Sequence, residues 1–280
     1  MFDFDLFLFL YKRLSVPCYA YLDDSENRII VDEKENRIIE LIQEYKPEYH
    51  ILRRGEALIF SKISIEQLKR KKMLLVSIHR DTVFQFKDSF QLSNYYEKRI
   101  GQTPMVFYSG NIDNTIHVAI SLYLMIKLDL PGEIVFAFTF GEESSNVKKM
   151  PNYWMIGAEA TLAYFQSQST PLHLALVLDI CYFDPESEIL SVIRNNFAND
   201  YWNRIKSMAE KFSSKTEFIE RYGSNETLFY SKKGINTLNV TAPSNSKSIH
   251  SLDAEISSNR VEHTINLLFY LFHNLKDWFF

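Results

Sequence analysis

The sequence predicts an α/β protein, a three-layer α/β/α sandwich built around a mixed, mostly parallel sheet. Four short apolar runs recur: "MLLVSI" (73–78), "EIVFAFTF" (133–140), "LALVLDI" (174–180) and "INTLNV" (235–240). Their unbroken β-branched and aromatic content suits strands covered on both faces. Segments of helical periodicity separate them, and such alternation is the mark of a parallel sheet with helices on its faces. No linker rich in Pro, Gly or Ser and no internal repeat divides the 280 residues, so positions 1–280 are expected to form one domain.

Taken in order, "MFDFDLFLFLYKRL" begins apolar, but Asp3 and Asp5 stand where a secretory leader would carry basic residues; a packed N-terminal helix is expected instead. "NRIIVDE" and "HILRRGEALIFSK" read as further strands, the second a hairpin turning at a glycine, and they make the sheet mixed. The basic cluster Lys69, Arg70, Lys71, Lys72 reads as a solvated turn before a strand. "PMVFYSG" (104–110) is another strand. "NTIHVAISLYLMIKL" is a helix that starts after Asp113 and stops before Pro131-Gly132. "IGAEATLAYFQSQ", "DYWNRIKSMAEKF" and "NRVEHTINLLFYLFHNLKDWFF" have helical spacing as well. The terminal "DWFF" either packs on the core or forms an interface, which leaves a homo-oligomer open.

Composition narrows the partners. A formal charge of −4 offers no basic footprint for nucleic acid. No stretch approaches the roughly 18 uninterrupted apolar residues of a membrane span. The two cysteines, Cys18 and Cys181, lack metal-site or disulfide-framework spacing, which points to a reducing, cytoplasmic setting.

In open α/β sheets, ligands gather where strands end at their carboxyl side. "MLLVSI" is followed by His79-Arg80-Asp81, "EIVFAFTF" by Gly141-Glu142-Glu143, "LALVL" by Asp179, "PMVFYSG" by Asp113, and the 235–240 strand leads on to His250. Singly, each has an ordinary explanation: Asp113 as a helix N-cap, Glu142 and Glu143 as the start of a solvated loop, Asp179 as a turn residue, the histidines as packed or surface residues. Together they place imidazole and carboxylate groups at one edge. Two histidines and three carboxylates suit a pair of divalent metals, because zinc accepts nitrogen and oxygen donors and a close pair of ions needs a bridging carboxylate. An extra carboxylate that binds no metal can serve as general base, and Asp81 can accept the second N–H of His79.

In order, "SIHRD", "GNIDN", "FGEES", "LVLDI" and "IHSLDAE" resemble the co-catalytic di-zinc exopeptidases of the aminopeptidase Y and bacterial leucyl aminopeptidase type. The resemblance implies the zinc-exopeptidase fold and two divalent metal ions, zinc first, with cobalt or manganese as alternatives. It implies His79 and Asp179 as ligands of one ion, Glu143 and His250 of the other, and Asp113 as the bridge. Glu142 then corresponds to the general base, Asp81 to the residue that orients His79, and Asp113-Asn114 to a cis peptide bond. Gaps of 34 residues from His79 to Asp113 and 71 from Asp179 to His250 leave no room for an inserted domain. The substrate implied is a peptide with a free N-terminus; a deacylase acting on N-acyl amino acids or another amide, and a non-catalytic binding protein, are the alternatives. Two departures fall near the substrate: the polar "SSNVKKMPN" after Glu143, and Ser224-Asn225-Glu226 where a Ser-Asp pair is usual. His117, one helical turn after Asp113, is expected to be structural, as are His50, His173, His263 and His273.

Overall fold

A computed structural model describes residues 2–69, 71–82, 94–100, 103–143, 153–182, 190–195, 200–220, 225–246, 248–251 and 253–274. Arg70, the whole of "SSNVKKMPN", Ser224 and the terminal "DWFF" lie outside the described residues.

The centre is an eight-stranded sheet. Its strands are β3 (His50–Arg54), β4 (Ala57–Ser61), β5 (Met73–His79), β8 (Ile134–Thr139), β9 (Leu172–Leu178), β10 (Ser191–Asn195), β11 (Thr216–Glu220) and β12 (Asn236–Thr241). They run in the order β11-β10-β12-β9-β5-β8-β4-β3. The four central strands β12, β9, β5 and β8 are parallel, whereas β4, β3 and the β10–β12 pair are antiparallel. The expected mixed, mostly parallel sheet is therefore present. Its central strands are the four apolar runs.

Although those runs are continuously apolar, their side chains still alternate with the period of two that a strand imposes. Leu74, Val76 and Ile78 of β5 and Ile134, Phe136 and Phe138 of β8 join one core. On that face lie α1 (Phe4–Leu14), α2 (Glu33–Tyr45), α4 (Thr115–Lys127), α6 (Asp200–Phe212) and α8 (Ser258–His273). Leu75, Val135, Ala137, Ala175 and Val177 face the opposite way, against α3 (Ile65–Leu68), α5 (Ile156–Ser167) and α7 (Glu226–Lys232). These are the three layers. Helix α4 is buried almost all round, which is why its sequence is apolar on every face. None of the helices searched is long and apolar enough to cross a membrane.

Two smaller sheets complete the architecture. β1 (Cys18–Leu22) pairs with β2 (Arg28–Asp32), and β6 (Asn94–Ile100), β7 (Thr103–Ser109) and β13 (Glu255–Ser257) form a three-stranded sheet. The "PMVFYSG" strand is β7, so it belongs to this separate sheet rather than to the edge shared by the other four runs. Strands β1, β6, β10, β11 and β13, and helices α2, α3 and α7, have no counterpart in the sequence reading. They are short or largely polar, and their periodic signal is correspondingly weak.

Candidate active site

Because β5, β8, β9 and β12 are parallel, their carboxyl ends meet at one edge. His79 is the last residue of β5, and Asp179 directly follows β9. Past β8, Gly141 takes a φ of 101°, a left-handed conformation that favours glycine; a Cβ there would come within 2.7 Å of the Tyr153 carbonyl. This turn sends Glu142 and Glu143 off the strand axis. Gly157, at the start of α5, lets that helix approach closely, since a Cβ would meet Phe140 N at 2.5 Å.

Asp113 arrives at the same place from β7 and the small sheet. The Asp113-Asn114 peptide is cis. Asn114 Nδ2 donates to the Leu178 carbonyl at 2.8 Å, tying this loop to the end of β9. Asn114, not Asp113, occupies the N-cap of α4, and its side chain makes no capping bond. The carboxylate of Asp113 is thus directed elsewhere. Its Oδ1 lies 3.3 Å from His79 Nε2 and its Oδ2 lies 2.9 Å from His250 Nε2. His250 Nε2 is also 3.1 Å from Glu143 Oε1, and His79 Nε2 is 3.2 Å from Asp179 Oδ1. All seven sequence-derived candidates, His79, Asp81, Asp113, Glu142, Glu143, Asp179 and His250, gather here.

Asp81 meets His79 chiefly through its backbone. His79 Nδ1 donates to the Asp81 backbone carbonyl at 3.1 Å, while the carboxylate Oδ1 is 3.7 Å away. Asp81 Oδ2 instead accepts the Glu143 backbone N–H at 2.9 Å. The residue therefore links the ends of β5 and β8. Between His79 and Asp81, buried Arg80 points to the other side: Nε donates to Asp32 Oδ2 at 2.9 Å, Nη2 to Glu35 Oε2 at 2.8 Å, and Nη1 to the Glu56 and Phe138 carbonyls. A guanidinium fork with this many acceptors fixes the turn that carries both neighbours.

Asn225 and Glu226, at the start of α7, were noted in the sequence only as a departure. Asn225 Nδ2 donates to Asp179 Oδ2 at 2.8 Å. Glu226 is buried beneath the site and accepts from the Thr139 hydroxyl on β8. Lys34, also fully buried, donates to Thr115 Oγ1 at 3.0 Å and anchors the start of α4.

The electrostatics of this crowd are distinctive. Burial, with Asp179, Glu226 and Glu143 adding repulsion against the pull of His79, holds Glu142 well above the usual carboxylate range. Burial also raises Glu143 and Glu226. Asp113 goes the other way: burial opposes it, but hydrogen bonds from His250 and His79 bring it down to about 2. His250 is pushed up to about 10, first by its bond to Asp113 and then by Glu143. In His79, burial works against the proton, yet the field of Glu142 and the bonds to Asp113 and Asp179 hold it well above its ordinary value.

These groups fit divalent cations. Six carboxyl groups face two imidazoles, and among the described residues the buried oxygens Glu142 Oε2 and Glu226 Oε2 have no hydrogen-bond donor. Such an excess of buried negative charge is costly without cations. Ligand atoms of His79, Asp113 and Glu143 lie within 4.8 Å of one another, as do those of His79, Glu142 and Asp179. His79 appears in both groups, but its Nε2 has one lone pair and can serve one ion; the two oxygens of Asp113 can serve two.

His117 stands apart from these groups. Its Nδ1 donates to Asn114 Oδ1 at 2.7 Å and its Nε2 accepts the Ala242 N–H at 3.0 Å, and burial lowers it to about 4. Both ring nitrogens are spent on structure. His263 and His173 have partners of their own elsewhere, Thr216 and Pro171.

No protein-family model matches the chain, and no curated protein matches its sequence. Solved structures do match. The TET aminopeptidase of a marine-sediment archaeon, Thaumarchaeota archaeon, is similar with a TM-score of 0.67 at 12% identity, over 98% of each chain. PhTET1 of Pyrococcus horikoshii, seen as a dodecamer, gives 0.62 at 14% identity, over 97% of this chain and 99% of that one. The LapA aminopeptidase of Legionella pneumophila gives 0.59 at 11% identity, over 95% of this chain and 70% of that one. At such identities the shared property is the fold.

Proposed function

We propose that the protein is a metal-dependent aminopeptidase, hydrolysing the N-terminal peptide bond of its substrate with two divalent ions, zinc in the first instance. The single observation that carries this is Asp113, whose two carboxylate oxygens address different histidines, Oδ1 toward His79 at 3.3 Å and Oδ2 toward His250 at 2.9 Å. A buried carboxylate with one oxygen on each side of a divided ligand set has the disposition of a bridging ligand. The aminopeptidases that share the fold support the choice of substrate class.

In this proposal His79 and Asp179 would hold one ion and Glu143 and His250 the other, with Asp113 available to both. Bound there, the ions would supply Lewis acidity toward water and toward the carbonyl of the scissile bond. Glu142 takes the proton from the attacking water and returns it to the departing amine. Its position suits that work: Oε2 is buried and has no hydrogen-bond partner among the described residues, and burial favours its protonated form, as suits a group that must take up a proton before returning it. Asp81 keeps Glu143 in place through the backbone N–H, and its carbonyl fixes the tautomer of His79 with Nε2 toward the site. His250 is 40% exposed at its side chain, whereas His79 is fully buried, so substrate approaches from the His250 side.

Replacing Glu142 with Gln tests the assignment. The variant should retain two equivalents of metal and lose at least about a hundredfold in kcat on aminoacyl arylamides, the usual scale for a general base. N-acetyl amino acids assayed in parallel should not turn over. Full activity in the Gln variant would sink the role of Glu142, and turnover of acylated substrates alone would make the protein a deacylase.

A further inference from the structure

The residues that open α7 belong to no ligand set, yet they touch it from below. Asn225 Oδ1 caps the helix, accepting from the Thr227 backbone N–H at 3.1 Å and from the Thr227 hydroxyl. Because that oxygen is engaged twice, the NH2 end of the amide is the one that faces Asp179. Nδ2 donates to Asp179 Oδ2 at 2.8 Å. The two oxygens of Asp179 are thereby committed to different directions, Oδ2 to Asn225 and Oδ1 to the His79 side at 3.2 Å. The Asp179 carbonyl is held as well, by the Thr241 hydroxyl.

We infer that Asn225 is a positioning residue that restricts Asp179 to a single ligating oxygen, and so sets the geometry and affinity of the His79–Asp179 half of the site. The inference rests on the dinuclear reading above. Its distinctive consequence is asymmetry. The Glu143–His250 half has its own support, the Glu143 N–H bonded to Asp81 Oδ2, and makes no contact with Asn225 among the described residues. An amide suits the position because it donates to a carboxylate without altering the charge of the site. A carboxylate there would face another at hydrogen-bond distance.

Asn225→Asp separates the donor from the cap. Its carboxylate still accepts the Thr227 N–H, so α7 keeps its N-terminal bond, but the N–H directed at Asp179 is gone. Chelator-stripped wild type and variant are titrated with zinc, and with cobalt followed by visible absorption, in competition with a chelator of known affinity. The same titrations in a His250→Ala background identify which half each step belongs to. Wild type should take two equivalents. In Asn225→Asp the His79–Asp179 step should weaken by about 10- to 100-fold, the usual consequence of losing a residue that orients a ligand. The Glu143–His250 step should move by less than about threefold. Cobalt absorption for the weakened step should fall in intensity as the released Oδ2 joins the coordination sphere. Thr227→Val, which loosens the amide without changing charge, should weaken the same step by less, and it replaces Asn225→Asp if that variant does not fold. Two equivalents in wild type with both steps unchanged, tightened or equally weakened in the variants would overturn the inference alone. Fewer than two equivalents in wild type would overturn the dinuclear reading and this inference with it.

Discussion

Arg80 sits between a candidate metal ligand and the residue that braces it, and Arg80→Met should show how firmly the turn is held from behind. The guanidinium is 1% exposed at its side chain, and its bonds reach two carboxylates and two backbone carbonyls. Removing one member of a buried ion pair costs about 3 to 5 kcal/mol, since the partner is left charged and unpaired. Here the lower end applies. Asp32 and Glu35 are 15% and 20% exposed, Glu35 keeps Arg53 at 2.9 Å, and Asp32 still accepts from the Glu35 N–H and the Cys18 thiol. A loss of about 3 kcal/mol is therefore expected, a large share of the roughly 5 to 15 kcal/mol by which domains are stable. Urea unfolding of chelator-treated protein at neutral pH measures it. Asp32→Asn leaves the cap of α2 in place and removes the charge, so the double variant should recover part of the loss, with a coupling of about 1.5 kcal/mol or more. A cost below about 1 kcal/mol for Arg80→Met, or an absent coupling, would refute the claim that this ion pair holds the turn.

Two further outcomes follow from the same charges. Zinc should raise the melting temperature of chelator-treated protein, with about 4 kcal/mol of stabilisation when free metal is a thousandfold above Kd, and Asp113→Ala should abolish most of that shift; a wild type indifferent to zinc in thermal melts would contradict the metal centre. Glu226 has its proton affinity raised by burial above the ordinary 4.5, so the folded chain holds a proton the unfolded chain has released, and its contribution falls as pH rises from about that value. Glu226→Gln should accordingly flatten the decline of the metal-free urea midpoint between pH 5 and pH 7 and leave the variant the more stable at pH 7; an identical decline in both chains would show that the carboxyl adds nothing.

The edge where these groups meet was legible in the sequence because a parallel sheet delivers every strand end to one side. Four apolar runs, each followed by an acidic residue or a histidine, carry that information without any contact being known. Other features were hidden for a physical reason. Asp113 appears in the sequence to follow a fifth strand of the same kind, yet β7 lies in the small sheet with β6 and β13. Hydropathy records that a strand is buried, and it contains nothing about which neighbour it pairs with. The capping signal at Asp113 was ambiguous in a similar way: a carboxylate just before a helix can cap it or turn away, and the tertiary position of His79 and His250 decides which.

The supporting residues are less legible still, because each works through a partner far away in the chain. Arg80 meets Asp32 across 48 positions, Asn225 meets Asp179 across 46, and Lys34 meets Thr115 across 81. No local period encodes such pairs. What the sequence does offer is a weaker cue, an arginine and a lysine in segments that the fold must bury, and asparagine and glutamate where a short helix begins. The cue gains meaning from charge. A site with six carboxyl groups and two histidines cannot be stabilised by apolar packing, and each uncharged or cationic donor behind it serves where it steadies the framework without neutralising the carboxyl groups of the site. Arg80 and Lys34 meet that condition by facing away from the ligand atoms, toward Asp32, Glu35 and Thr115. Asn225 meets it differently, as a neutral amide that reaches Asp179 directly. The cationic groups thus hold the framework, whereas the donor that reaches Asp179, the proposed ligand, is an uncharged amide, which is why exchanging it for aspartate is the sharper probe of the site.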